Sequence, residues 1–219
     1  GGAFAINAGT GQVTVQGALD FETLPSYSLT VQVADSGLLS DSAAVSIGLT
    51  NVNDAPAAIS DSASTSEDTA VTVLASTLLA NDSDIDGDTL SISGVSNAVN
   101  GAVALDGNGD VVFTPVTDFN GAATFDYTAS DGNGGTATQT VSVDVTAVND
   151  APVVNSMAAV LAEGTSVTVT ASDLLANATD VEGDSLSVSN VQVVGTDASV
   201  TVDGNGAWTI TPVSGFTGS

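Results

Sequence analysis

The chain repeats itself. Val52-Asn53-Asp54-Ala55-Pro56 returns as Val148-Asn149-Asp150-Ala151-Pro152, a period of 96 residues. Leu78-Leu79-Ala80-Asn81 returns at the same spacing as Leu174-Leu175-Ala176-Asn177, and Asp86-Gly87-Asp88 as Glu182-Gly183-Asp184. Thr114-Pro115 returns as Thr211-Pro212, one residue later than the period demands. A fixed period of this length limits the chain to tandem copies of one small domain, each about the size of a two-sheet sandwich. The expected partition is residues 1–55 as the back end of one repeat, 56–151 as a complete repeat and 152–219 as the front of a third. The third has no counterpart after Phe216 to the strands expected at Ala122–Ser130 and Thr136–Val145, as in a window cut from a longer array.

The pattern inside the repeat is that of strands. Val71-Thr72-Val73 and Val141-Ser142-Val143-Asp144-Val145 alternate apolar and polar residues, the signature of half-buried β-structure. For the complete repeat the expectation is seven strands, near Ala57–Ser60, Thr69–Leu74, Thr89–Gly94, Ala102–Leu105, Val111–Thr114, Ala122–Ser130 and Thr136–Val145. Asp106-Gly107-Asn108-Gly109 is a strong hairpin signal. A helical turn capped by its own serine is expected at Ser76–Ala80, with Leu78 and Leu79 plugging the sandwich edge. Phe113, Phe119, Phe125 and Tyr127 should anchor the core of the middle repeat, with Trp208 at the same level in the third. Each buried apolar residue contributes roughly 1.5–3 kcal/mol before conformational entropy is counted. So light a core makes a metal clamp or a neighbouring repeat valuable. The fold class expected is all-β, tandem Greek-key sandwiches with seven strands per complete repeat.

Charge narrows the function. The chain has no Lys, Arg or His, and its 26 Asp and Glu residues give a formal net charge of −26. Nucleic acid and anionic membrane surfaces are excluded as partners, because both need basic side chains. The hydrophobic fraction of 42% argues against disorder. Cysteine is absent, and no stretch is long and apolar enough to cross a bilayer as a helix. A chain without His, Cys or Lys has only carboxylates for acid–base work, and these sit at turns of a repeated unit, so an enzyme is not expected.

Carboxylates without cationic partners suit a metal. Asp82-Ser83-Asp84-Ile85-Asp86-Gly87-Asp88 places four of them at alternate positions around a glycine, a donor set for calcium, which takes six to eight hard oxygens at about 2.3–2.6 Å. It is not an EF-hand, since the twelfth position is Ser93 and strands follow; the alternative is a solvated Asp/Gly turn. Asp131-Gly132-Asn133-Gly134-Gly135 has the composition of a calcium β-roll, but a single copy reads as a hairpin turn.

A wider pattern joins these acids. Leu19-Asp20-Phe21-Glu22 precedes the strand Tyr27–Asp35, and Asn51-Val52-Asn53-Asp54-Ala55-Pro56 follows. This order resembles a cadherin repeat, whose bacterial relatives are the cadherin-like tandem repeats of large secreted adhesins and RTX-type surface proteins; the resemblance covers the whole chain, is close over residues 1–56, and over 56–219 is nearer the bacterial variant marked by Glu67-Asp68-Thr69, Asp84-Ile85-Asp86-Gly87-Asp88, Phe119-Asn120-Gly121 and Val148-Asn149-Asp150-Ala151-Pro152. It implies immunoglobulin- or cadherin-like sandwiches with Ca2+ shared at the junctions between them. The first junction would use Asp20, Glu22, Asn53, Asp54, Asp84, Asp86 and Asp131. The second would use Glu67, Asp118, Asn120, Asn149, Asp150, Asp180 and Glu182. For Glu67 and Asp131 a plain capped turn is the alternative. The family's leading linker acid is Asn51 at the first junction and Ala147 at the second, Asn120 replaces a carboxylate, and Gly215-Phe216-Thr217 carries no acid. The first junction should therefore hold more ions, or hold them more tightly.

The resemblance implies an extracellular, non-enzymatic extender in a bacterial cell-surface or secreted adhesin, with cell adhesion delivered through other domains that meet cell-surface glycan or protein. The alternatives are a glycan-binding or homophilic recognition module, for which Trp208, Tyr27 and Tyr127 are the aromatic candidates, and a spacer in a secreted polysaccharide-degrading enzyme.

Overall fold

The computed structural model describes residues 2–7, 9–162 and 164–215. Phe216 and Thr217, named above for their lack of an acid, lie outside the described residues. The chain divides into two compact units, residues 1–145 and 146–219.

The first unit opens with two hairpins. β1 (Phe4–Ile6) pairs with β2 (Val13–Val15), and β3 (Ser26–Ala34) pairs antiparallel with β4 (Ser40–Gly48) over their full nine residues. Phe4 meets Tyr27 edge to face at 4.9 Å between ring centroids.

Seven strands follow, the number expected. They are β5 (Asp61–Ser66), β6 (Val71–Val73), β7 (Ser91–Val99), β8 (Gly101–Leu105), β9 (Val111–Pro115), β10 (Gly121–Ser130) and β11 (Thr136–Thr146). Two sheets result, ordered β5-β11-β10-β7 and β6-β9-β8, and their inner faces enclose the core. Strand β10 buries Ala123, Phe125, Tyr127 and Ala129, and β11 buries Val141, Val143 and Val145, so the period-2 pattern marked the inward face correctly. Phe113 and Phe125 stack across the sheets at 5.8 Å. Phe119 is only partly buried against this cluster.

Two local expectations need correcting. The first strand is not Ala57–Ser60, where only an isolated bridge joins Ala57 to Ser83. The backbone there is satisfied by side chains: Ile59 N–H donates to Asp82 Oδ1 (2.8 Å), Ala58 O accepts from Gln139 Nε2 (3.0 Å), and Ile59 O accepts from Tyr127 OH (3.1 Å). With no ladder partner left to take, the strand starts at Asp61. The helical turn α1 is Ala75–Leu78, and no serine caps it. Ala75 N–H instead donates to Asp110 Oδ1 (2.8 Å), reaching across from the β8–β9 hairpin, while Leu78 is buried as anticipated and Leu79 packs beside it.

The second unit repeats part of this order. It contains β12 (Val153–Val154), β13 (Val167–Val169), α2 (Ala171–Leu175), β14 (Ala178–Thr179), β15 (Ala198–Val202) and β16 (Trp208–Pro212). β13 and α2 stand 96 residues after β6 and α1, and β15 and β16 stand 97 after β8 and β9, so the inserted residue falls between α2 and β15. The sheet β13-β16-β15 matches β6-β9-β8. Here the helix is capped by its own residues: Thr170 and Asp173 form a reciprocal capping box.

Candidate metal centre

The linker 49–56 leaves β4 and runs onto the rim of the seven-stranded sandwich. Leu49 N–H still bonds Pro25 O (2.9 Å), closing the β3–β4 ladder. Beyond it, side chains take over. Asn51 Nδ2 donates to Asp86 Oδ1 (2.8 Å), the Asp54 backbone N–H donates to Asp86 Oδ2 (2.8 Å), and Asn53 Nδ2 donates to Asp131 Oδ2 (2.8 Å). Pro56 is buried.

Asp84, Asp86 and Asp88 project from one tight turn. Asp84 Oδ1 accepts from Asp86 N–H (2.9 Å), and Gly87, at φ +80°, supplies the left-handed step that L side chains rarely adopt. Asn133 Nδ2 donates to Asp88 Oδ2 (2.7 Å), joining this turn to the β10–β11 turn.

Two carboxylate clusters share Asp86. Oxygens of Glu22, Asp54 and Asp86 lie within 4.8 Å of one another, and so do oxygens of Asp84, Asp86 and Asp88. That spacing is the span of a calcium coordination sphere, since two ligands on opposite sides of an ion at about 2.4 Å are about 4.8 Å apart. Glu22 Oε1 and Asp84 Oδ2 are buried and have no hydrogen-bond partner. A buried carboxylate oxygen without a donor is costly, and a hard cation would satisfy it. On this test the residues fit calcium.

Electrostatics divide the cluster. The Glu22 carboxyl is held above its ordinary value; its own backbone N–H works the other way, but burial and the charges of Asp86 and Asp54 outweigh it. Asp86 is held below, chiefly by the Asp54 N–H and then by the Asn51 amide. Asp131 is held below, first by the Asn53 amide and then by backbone N–H groups of its own turn. The acids anchored by neutral donors are thus charged and fixed, while Glu22 faces their uncompensated field.

Of the residues expected at the first junction, the structure gathers Glu22, Asp54, Asp84 and Asp86, and ties Asn53 to Asp131. Asp20 turns instead to its own loop, where its oxygens accept from Thr23 N–H (3.1 Å) and Thr23 Oγ1 (2.7 Å), and these bonds lower its pKa. Three members were not assigned to either junction. Asp88 belongs to the alternating acidic run read as a calcium donor set, so the signal was present. Asn51 and Asn133 act as donors to acids rather than as ligands, a role that spacing alone does not mark.

The residues expected at the second junction fall on both compact units. In the first unit Glu67 is buried, Asp118 N–H donates to Asp68 Oδ1 (3.1 Å), and Asn120 is exposed. In the second unit Asn149 Nδ2 donates to Asp150 O (3.0 Å), as Asn53 does to Asp54 O (3.0 Å). Asp150 N–H donates to Glu182 Oε2 (3.2 Å), the counterpart of the Asp54–Asp86 bond, and Asp180 Oδ1 accepts from Asp184 N–H (3.0 Å).

Acidic strand-rich repeats joined by short Asn-Asp-Ala-Pro linkers define a modular repeat chain. The chain belongs to the cadherin-like domain family, whose sequence profile matches residues 52–146 and 148–219. Among curated relatives it is 51% identical over 55 residues to mouse protocadherin Fat 4, covering 24% of this chain and 1% of that protein. It is 32% identical over 173 residues to human protocadherin Fat 1, covering 69% of this chain and 4% of that protein. The chain thus spans a few per cent or less of these relatives' length. A crystal structure of mouse cadherin-23 EC22-24 superposes with a TM-score of 0.42 at 24% identity, covering 67% of this chain and 50% of that one.

Proposed function

We propose that these repeats are calcium-stiffened extenders of a bacterial cell-surface or secreted adhesin, holding a terminal binding domain away from the cell. The observation that carries the reading is the pair of carboxylate clusters sharing Asp86, with Glu22 Oε1 and Asp84 Oδ2 buried and undonated. Glu22 lies before β3, Asp54 in the linker and Asp84, Asp86 and Asp88 in the next repeat, so one ion group would bind three segments at once. Asp20, Asn53 and Asp131 complete the proposed first set. The sequence register extends the proposal to Glu67, Asp118, Asn120, Asn149, Asp150, Asp180 and Glu182 at the second linker, with weaker binding there. The repeat boundaries at 55/56 and 151/152 belong to the same proposal. The absence of Cys, Lys, Arg and His supports a saline, calcium-containing exterior, and it supports a structural rather than a catalytic role. Tyr127 is fully buried, which removes one of the three aromatic candidates for a glycan platform.

Isothermal titration with Ca2+, paired with small-angle scattering with and without a chelator, tests the reading. The expected result is saturable binding and a longer maximum dimension with calcium. No binding heat and an unchanged dimension would overturn it.

A further inference from the structure

Four turns among the described residues are built alike, and the residue at their fifth position differs in each. Each is headed by an Asp whose N–H bonds the carbonyl of the fifth residue and whose Oδ1 accepts the N–H groups of the third and fifth. In the turn headed by Asp35, N–H reaches Leu39 O (2.9 Å), and Oδ1 accepts from Gly37 (2.8 Å) and Leu39 (2.9 Å). Asp106 does the same with Asp110 O (2.8 Å), Asn108 (2.7 Å) and Asp110 (2.9 Å). Asp131 does so with Gly135 O (3.4 Å), Asn133 (2.7 Å) and Gly135 (3.0 Å). Asp203 does so with Ala207 O (2.9 Å), Asn205 (2.8 Å) and Ala207 (2.9 Å).

The fifth residue is therefore Leu, Asp, Gly and Ala in turn. The turn itself does not require glycine there, and Gly135 is not in the left-handed region that would require it. What differs at Gly135 is its neighbour. A Cβ on Gly135 would collide with Asp131 Oδ2, stand 2.9 Å from Ala55 Cα and 3.0 Å from Asp54 O. Asp131 Oδ2 is the oxygen that accepts the Asn53 amide. The missing side chain is the space in which the linker backbone lies.

We propose that Gly135 is a positioning residue that admits the linker onto the repeat beginning at Pro56, and that Gly135, Asp131 and Asn53 form a latch that seats the linker without any ion. This goes beyond the calcium reading and does not need it. Asn51, Asn53 and Asp54 are all held by the downstream repeat through neutral donors, whereas Leu49 is still held by Pro25 of the upstream hairpins. The bending point between the upstream hairpins and the seven-stranded repeat is accordingly confined to residues 49–51. Calcium at Glu22 would close that remaining gap rather than seat the linker.

The test is amide exchange measured by NMR on the 219-residue chain in chelator-containing buffer. The reporters are the Asp54 N–H and the Asn53 side-chain amide. Gly135→Ala should accelerate Asp54 exchange by about tenfold or more, the factor that accompanies loss of a hydrogen bond to a charged group, with β10–β11 protection retained. Asn53→Val, which leaves Gly135 in place, should loosen the same reporter. Gly107→Ala is the control, because a Cβ there meets nothing within 4 Å. Unchanged Asp54 exchange in Gly135→Ala would overturn the proposal, and so would loss of the β10–β11 ladder, because the glycine would then serve the turn. A wild-type chain that binds no calcium, beside variants that show these shifts, would remove the ion reading and leave the latch standing.

Discussion

One oxygen of Asp131 closes a turn and the other holds a linker, so a single carboxylate joins the local chain to a segment 78 residues away. The same economy is missing at Asp61. Asn81 Nδ2 reaches its Oδ1 at 3.2 Å, Oδ2 is buried without a hydrogen bond, and burial, opposed by the nearby Tyr127 hydroxyl and reinforced by the Asp82 charge, holds the group above its ordinary value of 3.8. Asp82 is meanwhile engaged by the Tyr127 hydroxyl at 2.9 Å. In the second unit the two equivalent positions are Met157 and Ala178, so both acids are lost together. A carboxyl whose folded pKa exceeds its unfolded one costs the folded state nothing while protonated in both, and the cost develops as pH rises through the unfolded value. Asp61→Asn should therefore raise the thermal midpoint at pH 7, and the gain should vanish near about pH 3. Melting curves of both proteins across this range check it; a gain that persists at low pH would place the effect elsewhere. Asp86 and Asp131 have the opposite sign: their lowered pKa values give stability that is present above 3.8 and lost as pH falls through the folded values.

At the level of elements, the strands with clear alternation were legible from sequence to within about one residue at most ends. β8, β9, β10 and β11 all obey the period because one face of each meets the core. β7 runs on to Val99, five residues past its expected end at Gly94. β5 was not legible. Asp61-Ser62-Ala63-Ser64-Thr65-Ser66 has no large apolar residue, and it is a strand because β11 offers it a ladder, which is a tertiary fact. The acidic rim was legible where acids alternate, and illegible where an amide holds an acid in place. The core makes a sharper prediction. Phe125 is fully buried and stacked on Phe113. Phe125→Ala should cost about 3–5 kcal/mol, a large part of a small domain's stability, and urea unfolding followed by circular dichroism would show it. A loss below about 1 kcal/mol would mean that the site collapses around the missing ring.

For the whole molecule, the sequence supplies 26 acids and no basic side chain, so carboxylates find only uncharged donors. Among the described residues these are backbone N–H groups, Asn amides, and Thr and Tyr hydroxyls, as at Asp126 with Asn97 (2.8 Å) and Thr140 (2.7 Å). Salt ordinarily weakens ion pairs and repulsions together. Here side-chain ion pairs are absent by composition, so screening acts on repulsion alone. The thermal midpoint should rise steadily with NaCl between about 0.01 and 0.5 M, as the Debye length falls from about 30 Å to a few ångströms. A flat or falling curve would show that self-repulsion does not limit this fold.

The sheet order β5-β11-β10-β7 also sets a timetable. The first strand of the complete repeat, Asp61–Ser66, has its partner in the last, Thr136–Thr146. The β10–β11 hairpin can form early, because its strands are adjacent in the chain and share one tight turn. The β5–β11 pairing must close a loop of some seventy residues, and such distant pairings are slow to form. A chain that leaves a ribosome or an export channel from its N-terminus therefore cannot finish this repeat until residue 146 has emerged. Each repeat then closes once, as a whole, and the linker that follows it is free to meet the next.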